Sequence, residues 1–162
     1  MMSKHYLGLD VSPLRIGWAV VEGQGDDAEI TDHGVIIFDS KAWVTPGMRS
    51  DRLEDLADKH ASIDMVGLEA VFVGPNKLGS IRAAMALGQV ESIVDYLWPE
   101  VDQKILVATQ WRAACGIAQG GKAGVMDWSV SACRAYGVHP PENQDAADAT
   151  AIAWATMVRD DG

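Results

Sequence analysis

The run "DMVGLEAVF" at residues 64 to 72 restricts the fold more than any other stretch of the chain. It is apolar almost without interruption, whereas a strand with one wetted face alternates polar and apolar positions. Such a run reads as a buried parallel strand, which needs cover on both faces and so points to an α/β sheet. One acid, Glu69, breaks it, and an ionised carboxylate within a buried strand is costly unless something compensates it.

The rest of the chain supplies neighbours for that strand. "HYLGLDV" (5 to 11) and "RIGWAVVE" (15 to 22) are β-rich runs separated by a turn-like "SPL", the pattern of a hairpin. "HGVIIFDS" (33 to 40) predicts a third strand, with the acidic loop "GQGDDAEITD" before it. Residues 48 to 63 carry Leu53, Leu56, Ala57 and His60 at helical spacing, with Ser50 or Asp51 available as the N-cap. A long helix is predicted over 80–98, closed by Pro99, and a strand over "KILVA" (104 to 108). Helices over 121–136 and 144–159 complete the order β-β-β-α-β-α-β-α-α, a mixed central sheet flanked by helices. At 162 residues, without internal repeat or linker, the expectation is one domain spanning 1–162.

No apolar run is long enough to span a bilayer, so no membrane role is expected. "MMSKHYLGLDV" enters a strand-like pattern directly, without the features of a secretory signal, which makes the cytoplasm the expected compartment. Cys115 and Cys133 lack metal-ligand spacing and are expected to be buried free thiols. The formal net charge of −10 opposes nucleic-acid binding through the overall field. Its distribution is uneven. Ten acids lie within residues 23 to 64 beside Lys41, Arg49, Arg52 and Lys59, whereas residues 71 to 134 carry six basic residues against five acids. A nucleic-acid surface would therefore draw on Lys77, Arg82, Lys104, Arg112, Lys122 and Arg134.

Four carboxylates stand in unusual places. Asp10 ends the first strand, Glu69 interrupts the buried run, and Asp145 and Asp148 share one face at the start of an otherwise apolar helix, "ENQDAADATAIAW". Clustered without compensation, such groups would raise one another's pKa values and disfavour folding. Oxygen ligands of this kind suit magnesium, with manganese able to substitute, and two such ions serve phosphodiester hydrolysis by activating water and stabilising the leaving oxygen. Two Mg²⁺ ions would bring the formal charge from −10 to −6.

The segments "YLGLDVSPLRIGWAVV", "VGLEAVFVGPN", "ALGQVESIV" and "NQDAADATAIAWA" resemble, in order and spacing, RuvC-type Holliday junction resolvases of the ribonuclease H-like superfamily. The resemblance runs from residue 6 to about 157. It implies a ribonuclease H-like α/β fold and a Mg²⁺-dependent endonuclease that resolves four-way junctions or other branched DNA by paired nicks. Carried over, the family's metal-binding acids fall on Asp10, Glu69, Asp145 and Asp148. Phe72 falls where the family places an aromatic at the branch point, able to stack on an unpaired base; core packing is its competing role. Arg112 and Lys122 match a basic pair that holds the DNA backbone, Lys122 also being able to stabilise developing phosphate charge, and Lys77 and Arg82 are further DNA-binding candidates. The resemblance also implies a homodimer, with helix 80–98 as the interface candidate. Two other functions fit the same pattern: a YqgF-like RNA-processing nuclease and a non-catalytic DNA-binding module. "LEAVF" and the Asp145/Asp148 pair favour the junction nuclease.

Overall fold

The structure, a computed structural model, describes residues 2–39, 43–72, 74–117 and 119–160. Its sheet has five strands: β1 (His5–Val11), β2 (Arg15–Glu22), β3 (Glu29–Ile37), β4 (Met65–Glu69) and β5 (Asp102–Leu106). Their order is β3-β2-β1-β4-β5. β1 and β2 form the expected antiparallel hairpin, and β4 runs parallel to both β1 and β5. The near-continuous apolar run is thus a central parallel strand, with Val66 and Leu68 fully buried.

Among the described residues, five α-helices cover the two faces. On one face, α1 (Pro46–Lys59) and α2 (Lys77–Leu97) close a core of Leu7, Leu9, Leu53, Leu68, Val90 and Val94. Each fully buried aliphatic side chain there contributes about 1.5–3 kcal/mol relative to exposure. On the other face lies α5 (Gln144–Val158), with α3 (Ala108–Ala114) and α4 (Gly121–Ala135) packed against it. A helix held between a sheet and other helices must be apolar nearly all round, which accounts for the alanine-rich sequence of α5.

Several boundaries differ from the sequence expectation. α1 starts at Pro46, not at 48, because Pro46 is pre-set for the first turn and Thr45 Oγ1 accepts the Met48 N–H at 3.2 Å, displacing Ser50 and Asp51 as the cap. α2 starts three residues early, capped by Asn76, whose Oδ1 accepts the Gly79 N–H. β3 begins at Glu29 within the expected loop and ends at Ile37; Ser40, at the end of that expected strand, lies outside the described residues, as does Lys41. β5 spans 102–106, and the chain then turns into α3, which the sequence pattern had not distinguished from the strand before it. Cys133 is buried and Cys115 half-buried, both as free thiols. Among the described residues no helix is long and apolar enough to cross a membrane.

Candidate metal and nucleic-acid site

The register of the parallel pair begins the site. Leu9 stands opposite Leu68, so one step further the chain brings Asp10 of β1 level with Glu69 at the end of β4. Glu69 therefore closes its strand and does not interrupt it, which resolves the difficulty of an acid inside a buried run. α5 contributes the other pair. Its N-cap Asn143 accepts the Ala146 N–H at 2.8 Å, fixing the first turn, from which Asp145 and Asp148 project. Two glycines let this helix approach the sheet. A Cβ on Gly17, the β2 partner of Asp10, would overlap the backbone carbonyl of Asp145, and one on Gly8 would overlap the backbone of Ala149 and Ala153.

The electrostatics follow from this convergence. Burial, then the negative charges of Asp148, Glu69 and Asp145, push the Asp10 carboxyl from 3.8 up to about 8, with Lys122 acting in the opposite direction. Burial and Asp148 likewise raise Glu69, which Arg112 partly offsets. Asp148 is raised by burial, against a hydrogen bond from Gln144 and the nearby charges of Arg112 and Lys122. Gln144 Nε2 donates to Asp148 Oδ1 at 2.7 Å. Carboxylates from three separated segments thus share one field. Among the described residues, however, no three Asp, Glu, His or Cys side chains are gathered tightly enough to hold an ion as they stand.

The predicted basic pair divides from the other cations. Arg112, in the last turn of α3, and Lys122, in the first turn of α4, lie within electrostatic reach of the acids. Gly120 and Gly121 hold positive φ just before Lys122, so the glycine pair starts a helix. Lys77 and Arg82 lie on α2, over the other face of the sheet, and among the described residues neither bonds to the four acids. Arg82 instead stacks on Trp43, its guanidinium 4.5 Å from the ring centroid. Phe72 is 85 % exposed, which excludes core packing.

Two residues escaped the sequence reading. Arg15 Nη1 lies 3.5 Å from Asp145 Oδ2, because alternation along β2 turns Arg15, Gly17 and Ala19 toward α5. Gln144 precedes Asp148 by one helical turn, a spacing visible in the sequence but carrying no charge to draw notice.

No protein-family model matches the chain. It is 29 % identical to the crossover junction endodeoxyribonuclease RuvC of Synechocystis sp. over 168 residues, covering 98 % of this chain and 95 % of that protein. Among solved structures, T. thermophilus RuvC in complex with Holliday junction substrate superposes with a TM-score of 0.71 at 18 % identity, covering 94 % of this chain and 91 % of that one. The yeast mitochondrial Holliday junction resolvase Ydc2 gives 0.62 at 13 % identity, covering 97 % and 80 %. The fowlpox virus resolvase with Holliday junction DNA gives 0.59 at 11 % identity, covering 94 % and 97 %.

Proposed function

We propose that this chain, RuvC-like in sequence along nearly its whole length and RuvC-like in fold, is a metal-dependent, structure-selective endonuclease that resolves Holliday junctions and related branched DNA by paired nicks. The observation that carries the reading is the shared field at Asp10, which feels Glu69 from the neighbouring strand and both α5 aspartates at once. An all-oxygen donor set of this kind fits magnesium or manganese in chemistry.

Asp10, Glu69, Asp145 and Asp148 would hold two such ions, which supply water activation and charge stabilisation on the leaving oxygen. The chain's own residues do the rest. Without metal Asp10 holds a proton near neutrality, and it would give that proton up on metal binding. Gln144 fixes one oxygen of Asp148, leaving the other free to bind. Lys122 and Arg112, placed at the rim of the acidic cluster, would hold the phosphodiester backbone and offset its growing negative charge. Phe72, exposed three residues beyond Glu69, offers a stacking surface for a base unpaired at the branch point.

Resolution requires two symmetric nicks, and we read the active form as a homodimer. α2 supports this with Leu78, Ile81 and Met85, about half exposed and spaced along one face. Incubating an end-labelled four-way junction with the protein and Mg²⁺ should give paired nicks at symmetric positions. Asp148→Asn should abolish them while retaining junction binding. Undiminished metal-dependent cleavage by Asp148→Asn would remove the assignment, and cleavage of structured RNA in place of the junction would transfer it to the RNA-processing reading.

A further inference from the structure

A second feature lies at the same end of the sheet but on the α1/α2 face. The β1–β2 turn, Trp43 and Val44 ahead of α1, and α2 line a cavity of about 420 Å³. That volume is within the usual range for small-molecule sites. Arg49 lines it and is only 4 % exposed. Its Nη2 donates to the Pro13 carbonyl at 2.9 Å, and its guanidinium lies 5.6 Å from the Phe38 ring, but Nε and Nη1 have no partner among the described residues. No carboxylate pairs with it among the described residues, and burial alone pushes its pKa down. An unpaired buried guanidinium is expensive, since its donors forgo water without replacement. Gln89 on the wall has the opposite deficiency: its Oε1 is buried and accepts no hydrogen bond among the described residues. Arg82 and Trp43, stacked on each other, also line the cavity.

One ligand class satisfies these requirements together. A phosphate supplies acceptors for the free N–H groups of Arg49, and the in-plane donors of Arg82 remain free while its face lies on Trp43. An unpaired base supplies an exocyclic N–H for Gln89 Oε1 and an apolar body for the space beside Val44 and Ala86. We propose that this cavity takes one unpaired nucleotide of a nucleic-acid strand, with its phosphate on Arg49 and Arg82 and its base edge on Gln89. This deepens the nuclease reading and rests on it. Pro13, whose carbonyl Arg49 holds, is three residues from Asp10, or roughly 10 Å of extended chain, so the strand entering the cavity can be continuous with the one at the carboxylates.

The test follows the Arg49 Nε–H resonance of the ¹⁵N-labelled full-length protein in EDTA, assigned by its loss in Arg49→Lys. Titration with a deoxyadenosine dinucleotide should move that resonance saturably, with an affinity at least five times that for inorganic phosphate or for deoxyadenosine. Gln89→Met removes an orphaned acceptor, so it should leave the melting temperature unchanged or raise it while weakening dinucleotide binding at least five-fold. An unmoved resonance, equal affinity for inorganic phosphate, or undiminished affinity in Gln89→Met each overturns the proposal. So does a resonance that moves with protein concentration alone, which would make a second copy of the chain the occupant. Junction cleavage in Mg²⁺ by the same wild-type preparation separates the two readings. Cleavage without an Arg49 response refutes only the subsite, and an Arg49 response without cleavage refutes only the nuclease.

Discussion

Replacing Asp10 by asparagine tests the physical core of the site without reference to catalysis. In the folded, metal-free protein the Asp10 carboxyl titrates at about 8 against 3.8 ordinarily. Between those values the folded state holds a proton that the unfolded state has released. Stability therefore falls as pH rises from about 4 to about 8, is lowest above the folded pKa, and is relieved below the unfolded one. At about 1.36 kcal/mol per pKa unit, the penalty at pH 7 has a ceiling of about 4 kcal/mol. Local relaxation and water reduce it, and the asparagine amide forgoes hydrogen bonds worth about 1 kcal/mol. Asp10→Asn should therefore be more stable than wild type by roughly 1–3 kcal/mol at pH 8.5 in EDTA, with the advantage vanishing near pH 4. Urea unfolding followed by tryptophan fluorescence at several pH values reads this directly. Millimolar Mg²⁺ should reverse the order at pH 8.5, because only the intact cluster gains binding free energy in the folded state. A difference between the two proteins that does not vary with pH would refute the argument that the four carboxylates share a field.

Three further outcomes test other links. Phe72→Ala should change stability by less than about 0.5 kcal/mol, because the ring is already exposed, yet lower junction cleavage about 5- to 100-fold if a base stacks there; parallel melting and nicking assays compare the two. Gly17→Ala should cost about 1–3 kcal/mol and also reduce cleavage, since the added methyl pushes the start of α5 and Asp145 away from Asp10; denaturation and nicking that are both unaffected would contradict the close approach. If Lys77, Arg82, Arg112 and Lys122 are the cations that meet DNA, the logarithm of junction affinity should fall with the logarithm of salt concentration with a slope of about −4 per protomer, and a slope twice as steep would require cations outside this set.

The strands that build the site were legible because burial imposes a pattern on them. The near-continuous apolar run of β4 reads as a covered parallel strand, and the two β-rich runs of β1 and β2 on either side of the turn-like "SPL" read as a hairpin. The Asp145/Asp148 pair was legible from helical spacing. What escaped depends on information that one segment does not contain. That Glu69 ends its strand follows from the register against Leu9, a long-range pairing. The contact of Arg15 with Asp145 spans 130 residues and needs the α5 approach that Gly17 permits. α3 was hidden because "KILVA" runs into "ATQWRAA" without a glycine or proline, and the boundary is set by the Gln110 side chain accepting the Val107 N–H at 3.0 Å.

The acidity of the chain takes on a different meaning once its charges are placed. The acid-rich span from residue 23 to 64 forms the start of β3, the outer side of α1 and the loop leading into β4. These elements lie at the β3 edge, at the far end of the hairpin and on the α1 side of the sheet, while α5 brings its aspartates onto the opposite face. Arg15 meets Asp145, Arg112 acts on Glu69 and Asp148, and Lys122 acts on Asp10 and Asp148. A net charge sums over the whole surface, but a phosphate within a Debye length of about 8–10 Å responds to its neighbours alone. At the site those neighbours are three cations and four acids whose charge divalent ions would neutralise, which makes the local field metal-dependent. An acid-rich β3 edge and α1 outer side disfavour nonspecific binding of a duplex there, while the metal-dependent field at the carboxylates favours a phosphate at the site itself.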